Sequence, residues 1–88
     1  MNDINAPVPQ FGIEIAVRLL KAGKPVKERG SREGICYMLS KANDHGEQIL
    51  MRHDVTWERR DHIYARSVLW GYWELAEGEW EQPDYPYP

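Results

Sequence analysis

The segment Phe11–Gly30, FGIEIAVRLLKAGKPVKERG, constrains the fold of this chain more than any other, because it encodes a helix, the end of that helix and the strand that follows. Glu14, Arg18 and Lys21 recur at i, i+4 and i+7 and make one polar stripe, while Phe11, Ile13, Ile15, Ala16, Val17, Leu19 and Leu20 occupy the remaining surface. Such a helix is expected to be buried on most sides. Gly23 offers a left-handed cap after the last periodic residue, and Pro25 cannot continue the helix, so it should stop near Ala22.

At 88 residues the chain is short for so large an apolar demand. A domain of this size buries only roughly 60–65% of the surface its unfolded chain exposes, so a sheet or a second copy of the protein must cover the helix. Cys36 is the one cysteine, which excludes an intrachain disulfide and a thiol cluster for metal, and suits a cytosolic protein. The N-terminus, MNDINAPVPQ, has neither the basic start nor the apolar run of a signal peptide, and no stretch approaches the roughly 20 apolar residues of a membrane span. Net charge is −3, from 14 acidic and 11 basic residues, which argues against general nucleic-acid binding. The cluster Arg52, Arg59, Arg60 and Arg66 is a local exception, suited to a small anionic ligand.

Residues 1–10, with Pro7 and Pro9, read as an extended arm, residues 11–82 as one domain, and residues 83–88 as a Pro/Tyr-rich tail that frays unless its tyrosines dock on a partner. Within the domain, Pro25–Glu28 reads as a short strand and Ile35–Leu39 as a second, leading into the turn residues Asn43, Asp44 and Gly46. Ile49–Glu58 is the returning strand, with Ile49, Met51, His53, Val55 and Trp57 on its inward face. The run Asp61–Trp70 suits either period, and β-prone residues favour a strand over Tyr64–Leu69. Trp73–Glu77 has the propensity for one helical turn, and Glu79–Gln82 reads as an edge strand. The expected fold is therefore α+β: an N-terminal helix packed on a small, mostly antiparallel sheet, with a short C-terminal helical turn and an edge strand.

Chemistry is sparse. His45, His53 and His62 never fall at the i, i+3 or i+4 spacing that sets two ligands on one helix face, so no metal site is expected. Cys36 and His53 face each other across the expected hairpin, but no third group orients the histidine, and a structural cysteine is the simpler reading. No Gly-rich phosphate loop occurs. What remains is aromatic and cationic: Trp57, Trp70, Trp73 and Trp80, with Tyr37, Tyr64 and Tyr72, beside the arginines. Flat rings next to guanidiniums suit a stacked base and its phosphates, although tryptophans in a small core bury area equally well.

Two motifs carry a family resemblance. Phe11-Gly12, Leu20-Lys21-Ala22-Gly23-Lys24-Pro25-Val26 and Gly30 at one end, and Glu74-Leu75 with Glu79-Trp80-Glu81 at the other, flank about 70 of the 88 residues. This arrangement resembles the small phage Thoeris anti-defence proteins that act as sponges for cyclic ADP-ribose signals. In that family a Trp follows the glycine matched by Gly30 and stacks on the ligand's base; here Ser31 stands in its place, and the Asn-Gly-Lys-Gly that usually follows is reduced to Glu33-Gly34.

The resemblance implies an α+β fold, a homo-oligomer (dimer or tetramer) in the host cytoplasm, and a site that sequesters a cyclic nucleotide immune signal, a cyclic ADP-ribose isomer or a cyclic oligonucleotide, without turnover and without a cofactor. Under that reading Arg29, Arg52, Arg59 and Arg60 hold the pyrophosphate, Tyr37 or Trp57 stacks the base, and Glu74 or Glu79 accepts from ribose hydroxyls. The alternative is a small protein-binding inhibitor or adaptor, with exposed tryptophans and the tyrosine–proline tail as its contact surface.

Overall fold

The computed structural model describes residues 10–32, 34–60 and 62–87. The extended arm expected over 1–10 lies outside the described residues except for Gln10. The elements are α1 (Ile13–Lys21), β1 (Val26–Glu28), β2 (Cys36–Leu39), β3 (Leu50–His53), β4 (Trp57–Arg59), α2 (Ala65–Trp70) and β5 (Trp73–Leu75). All four strand pairs are antiparallel, and the sheet order is β4-β3-β2-β1-β5. The fold is α+β.

The end of α1 follows from its cap residues. Gly23 takes φ +79°, its N–H donates to Leu20 O at 3.0 Å, and the Lys24 N–H reaches back to Leu19 O at 2.9 Å. This pair of bonds is the Schellman arrangement, which satisfies carbonyls that the helix leaves open. Glu14 in the first turn and Arg18 and Lys21 in the last complement the helix dipole.

Only one side of α1 is buried. Ala16 and Leu20 join Val26, Tyr37 and Trp73 in the core, with Phe11, Ile13, Leu19, Leu39, Leu50 and Ile63 packed around them. Ile15 and Val17 are 41% and 37% exposed, which corrects the expectation of a helix buried on most sides. A sheet of three- and four-residue strands reaches one face of the helix and cannot wrap the rest.

The pairing assigns the two faces of the sheet, because residues directly opposite each other share a side. Val26, Tyr37, Leu39, Leu50 and Arg52 face the helices; Cys36, Met38, Met51, His53 and Trp57 face away. The far face is covered by the chain after β5. Gln82 Nε2 donates to the carbonyls of Leu39 and Ser40 at 3.0 and 3.1 Å, the Lys41 N–H donates to Pro83 O at 2.8 Å, and Pro83 is buried. The tail expected to fray thus lies against its own sheet, with Tyr85 and Tyr87 paired edge to face at 5.8 Å and the Arg59 guanidinium donating to the Tyr87 hydroxyl.

Four local expectations fail for tertiary reasons. The strand expected over Ile49–Glu58 is two, β3 and β4, joined by a tight turn in which the Asp54 N–H donates to Thr56 O at 3.2 Å and Val55, expected inward, is 87% exposed at the tip. The segment from Tyr64 to Leu69 enters α2 instead of a strand, with the Ser67 and Val68 N–H groups donating to Tyr64 O at 2.9 and 3.1 Å. Trp73–Leu75 is the edge strand β5, not a helical turn, because pairing with β1 at Val26↔Leu75, Lys27↔Glu74 and Glu28↔Trp73 outweighs the helical propensity of Glu, Leu and Ala. Glu79–Gln82 is consequently no strand; that segment crosses the sheet face.

Candidate functional site

Antiparallel pairing places Tyr37 opposite Arg52, both on the helix side of the sheet. Arg60 follows β4, fixed by its N–H donating to Leu50 O at 2.8 Å. Helix α2 stands across from these strands. Together they enclose an open groove of about 470 Å³, lined by Glu28, Tyr37, Arg52, Arg60, Tyr64, Arg66, Ser67, Trp70 and Gly71. That volume lies within the usual range for small-molecule sites.

Charge in the groove is opposite in sign to that of the whole chain. Among the described residues three arginines and one glutamate line it, on a protein of net charge −3. Arg52 Nη1 lies 3.8 Å from Asp54 Oδ2, an oxygen shared with Arg32 Nη2 at 3.7 Å. None of the ion pairs among the described residues involves Arg60, Arg66 or Glu28. Guanidiniums that take part in no ion pair among the described residues, as at Arg60 and Arg66, are well suited to an incoming phosphate.

The rings divide by exposure. Tyr37 is buried, 5.6 Å from the Trp73 ring in an edge-to-face contact, so its ring belongs to the core. Tyr64 and Trp70 are 59% and 75% exposed at the groove, Tyr64 meeting the His62 ring at 5.6 Å in a T-shaped contact, and exposed rings of this kind are what a planar ligand stacks on. A smaller depression of about 140 Å³ adjoins the groove, sharing Tyr37, Arg60 and Tyr64 and adding Arg59 and His62.

Of the eight residues expected at a site, the groove thus gathers Tyr37, Arg52 and Arg60. Arg59 borders only the smaller depression, with its guanidinium 5.5 Å from the Tyr87 ring centroid. Trp57 sits on the opposite face of the sheet, in a cluster with His53 at 5.1 Å and Trp80 at 5.9 Å. Glu74 also faces away from the groove, half-buried and paired with Lys27 Nζ at 3.4 Å. Arg29 is exposed in the turn after β1, where its N–H donates to Tyr72 O at 2.8 Å, and Glu79 is exposed beyond β5.

Sequence reasoning named Arg66 in the arginine cluster and Tyr64 and Trp70 among the candidate rings without assigning them to the site, and it missed Glu28 altogether. A signal existed that would have placed two of them together: Arg66 and Trp70 stand at i and i+4, which is one helix face once Asp61–Trp70 is read at the helical period. Glu28 had none, because its role depends on which strand lies beside β1.

Cys36 and His53 are direct partners in the β2–β3 pair, as the hairpin reading expects. Burial pushes the Cys36 thiol up from 9.0 to about 12, so no thiolate is available at neutral pH. His53 is oriented by its Nδ1–H, which donates to Gly34 O at 2.8 Å. Two results are expected for the thiol. In the native protein, labelling by a disulfide reagent at neutral pH should proceed only as fast as the chain opens, whereas in denaturant it should be immediate; rapid native labelling would contradict the burial. The unfolded chain loses the thiol proton near 9 while the folded chain retains it to about 12, so the unfolded state binds fewer protons across that interval and this group's contribution to stability falls as pH rises through it.

Among the described residues no group of three or more His, Cys, Asp or Glu side chains is placed to hold a metal ion, and no helix is long and apolar enough to cross a membrane. Compared with known proteins, the chain matches no family model, and no curated protein and no solved structure matches it.

Proposed function

We propose that this protein binds and sequesters a small cyclic nucleotide signal without converting it, the role of the phage anti-defence sponges that its terminal motifs resemble. The observation that carries the reading is the convergence of Arg52, Arg60 and Arg66 with the exposed rings of Tyr64 and Trp70 in one groove. Two or three phosphate charges find cations there, and a base finds a flat surface. Because Tyr37 is committed to the core and Ser31 replaces the family tryptophan, stacking passes to Tyr64 and Trp70.

Self-association belongs to the same proposal. Ile15 and Val17 of α1, with Leu69, Trp70 and Tyr72 in and after α2, leave apolar surface exposed on the single chain. A second copy that covered part of this surface would narrow the open groove and sequester the ligand more completely. The same exposed side chains favour one other reading, a docking surface for a host protein, centred on Trp70.

Calorimetric titration of the intact protein at about 100 μM against cyclic di-AMP, cyclic di-GMP, cyclic ADP-ribose and ADP-ribose is expected to give heat with at least one of them. Sedimentation at the same concentration should show a dimer or larger. Silence across the whole panel would remove the sponge reading and leave the protein-docking one.

A further inference from the structure

Among the described residues that line the groove one carboxylate stands with the cations, and we infer that Glu28 sets the ligand chemistry by requiring a hydrogen-bond donor, a ribose hydroxyl or a base amine, alongside the phosphates. This inference rests on the nucleotide-binding reading of the groove and adds a selectivity that the arginines alone do not provide.

Glu28 ends β1, opposite Trp73 in the β1–β5 pair and half-buried, so its backbone is held by the sheet and its place in the wall is fixed. It lines the groove together with Arg52, Arg60 and Arg66. Glu58 is the other acidic residue that pairing puts on this side of the sheet near Arg52; it is exposed and lies outside the groove lining. None of the ion pairs among the described residues uses the Glu28 carboxylate.

A carboxylate in a site for anions works against them. It weakens the attraction of the groove for any ligand that is charge alone, such as pyrophosphate or polyphosphate, since like charges at short range repel. An ionised carboxylate is an acceptor only, and it gains when N–H or O–H groups are delivered to it. A nucleotide does both jobs: its phosphates meet the guanidiniums while a sugar hydroxyl or exocyclic amine meets Glu28. The groove therefore prefers ligands with an anionic end and a donor end, and rejects simple polyanions, by repulsion as well as by attraction.

The test compares wild type, Glu28→Ala and Glu28→Gln by calorimetry, with cyclic di-AMP, ADP-ribose and inorganic pyrophosphate as probes. Removing the carboxylate is expected to weaken nucleotide binding about tenfold or more, the usual loss of a charge-assisted hydrogen bond, and to tighten pyrophosphate by about threefold. Glu28→Gln keeps the shape and one acceptor oxygen, so it should lose less nucleotide affinity while gaining as much for pyrophosphate. The opposed signs are the signature, and a general loosening of the fold cannot produce them. If Glu28→Ala tightens nucleotide and pyrophosphate alike, or changes neither, the inference is overturned and the groove reading stands. If no nucleotide binds the wild type, or if loss of Arg60 and Arg66 leaves nucleotide affinity unchanged, the groove reading falls and takes this inference with it. The 2′-deoxy analogue of cyclic di-AMP separates the donors: if Glu28→Ala no longer weakens its binding, the donor is the ribose hydroxyl; if the loss persists, it is the base amine.

Discussion

Replacing both Arg60 and Arg66 with alanine is expected to weaken nucleotide binding by two to four powers of ten while leaving the melting temperature unchanged. Each charge-assisted contact with a phosphate contributes about 1.5–3 kcal/mol, and the two together about 3–6 kcal/mol. Stability should be spared because neither guanidinium takes part in an ion pair among the described residues and Arg66 is exposed. Arg59→Ala is the contrasting variant. Although adjacent to Arg60 in sequence, Arg59 belongs to the opposite side of β4 and its guanidinium binds the Tyr87 hydroxyl. Its loss should leave nucleotide affinity within about threefold, since Arg59 borders only the adjoining depression and its removal takes away Coulomb attraction without a contact in the groove. Calorimetry against cyclic di-AMP and ADP-ribose, with thermal melts of each variant, makes the comparison. A double variant that binds as tightly as wild type would place any nucleotide site elsewhere on the molecule.

Trp73→Ala is expected to have the largest effect on stability. Trp73 is 0% exposed and is the largest of the fully buried side chains. It packs on Tyr37, donates from Nε1 to Ser67 O at 3.3 Å, and exchanges backbone hydrogen bonds with Phe11 at 2.8 and 2.9 Å. The backbone of Trp73 thus ties the segment before α1 to the sheet edge, while its side chain joins Tyr37 of β2 to the carbonyl of a residue in α2. Truncating a buried tryptophan costs about 3–5 kcal/mol, against a total of about 4–13 kcal/mol for a chain of this length at the usual stability per residue. Much of the variant population should be unfolded under mild conditions, whereas Trp73→Phe keeps most of the packing and forfeits mainly the bond to Ser67, about 1 kcal/mol. Urea unfolding followed by circular dichroism measures both. A loss below about 1 kcal/mol in the alanine variant would mean that the core is not organised around this ring.

How much of this was legible beforehand depended on the range of the interactions concerned. The helix α1, its stop at Gly23, the strands β1 and β2 and the turn around Asn43–Gly46 are local decisions. Periodicity, a glycine able to take positive φ, and an Asn side chain that accepts from the His45 and Glu47 N–H groups at 3.0 and 2.8 Å operate within a few residues, so the sequence carries them openly. The reversal at Asp54–Thr56 was hidden by arithmetic. His53 pairs with Trp57 and Met51 with Arg59, so partners differ by an even number and share a face; the two-residue alternation runs through the turn as though no turn existed. Period alone cannot reveal such a bend.

The residues from Tyr64 to Leu75 were decided by tertiary structure, against local preference. Tyr64, Val68 and Trp70 favour strand and Glu74-Leu75-Ala76 favour helix, yet α2 and β5 are the reverse, because β1 had an open edge that Trp73–Leu75 could pair with. Pairing also settled the site. The composition identified arginines and aromatic rings as its material, and three of the eight expected residues do line the groove. Which arginine faces which ring is a matter of strand register and of the helix laid across it. Those are contacts between residues distant in the chain, and no short stretch of sequence contains them.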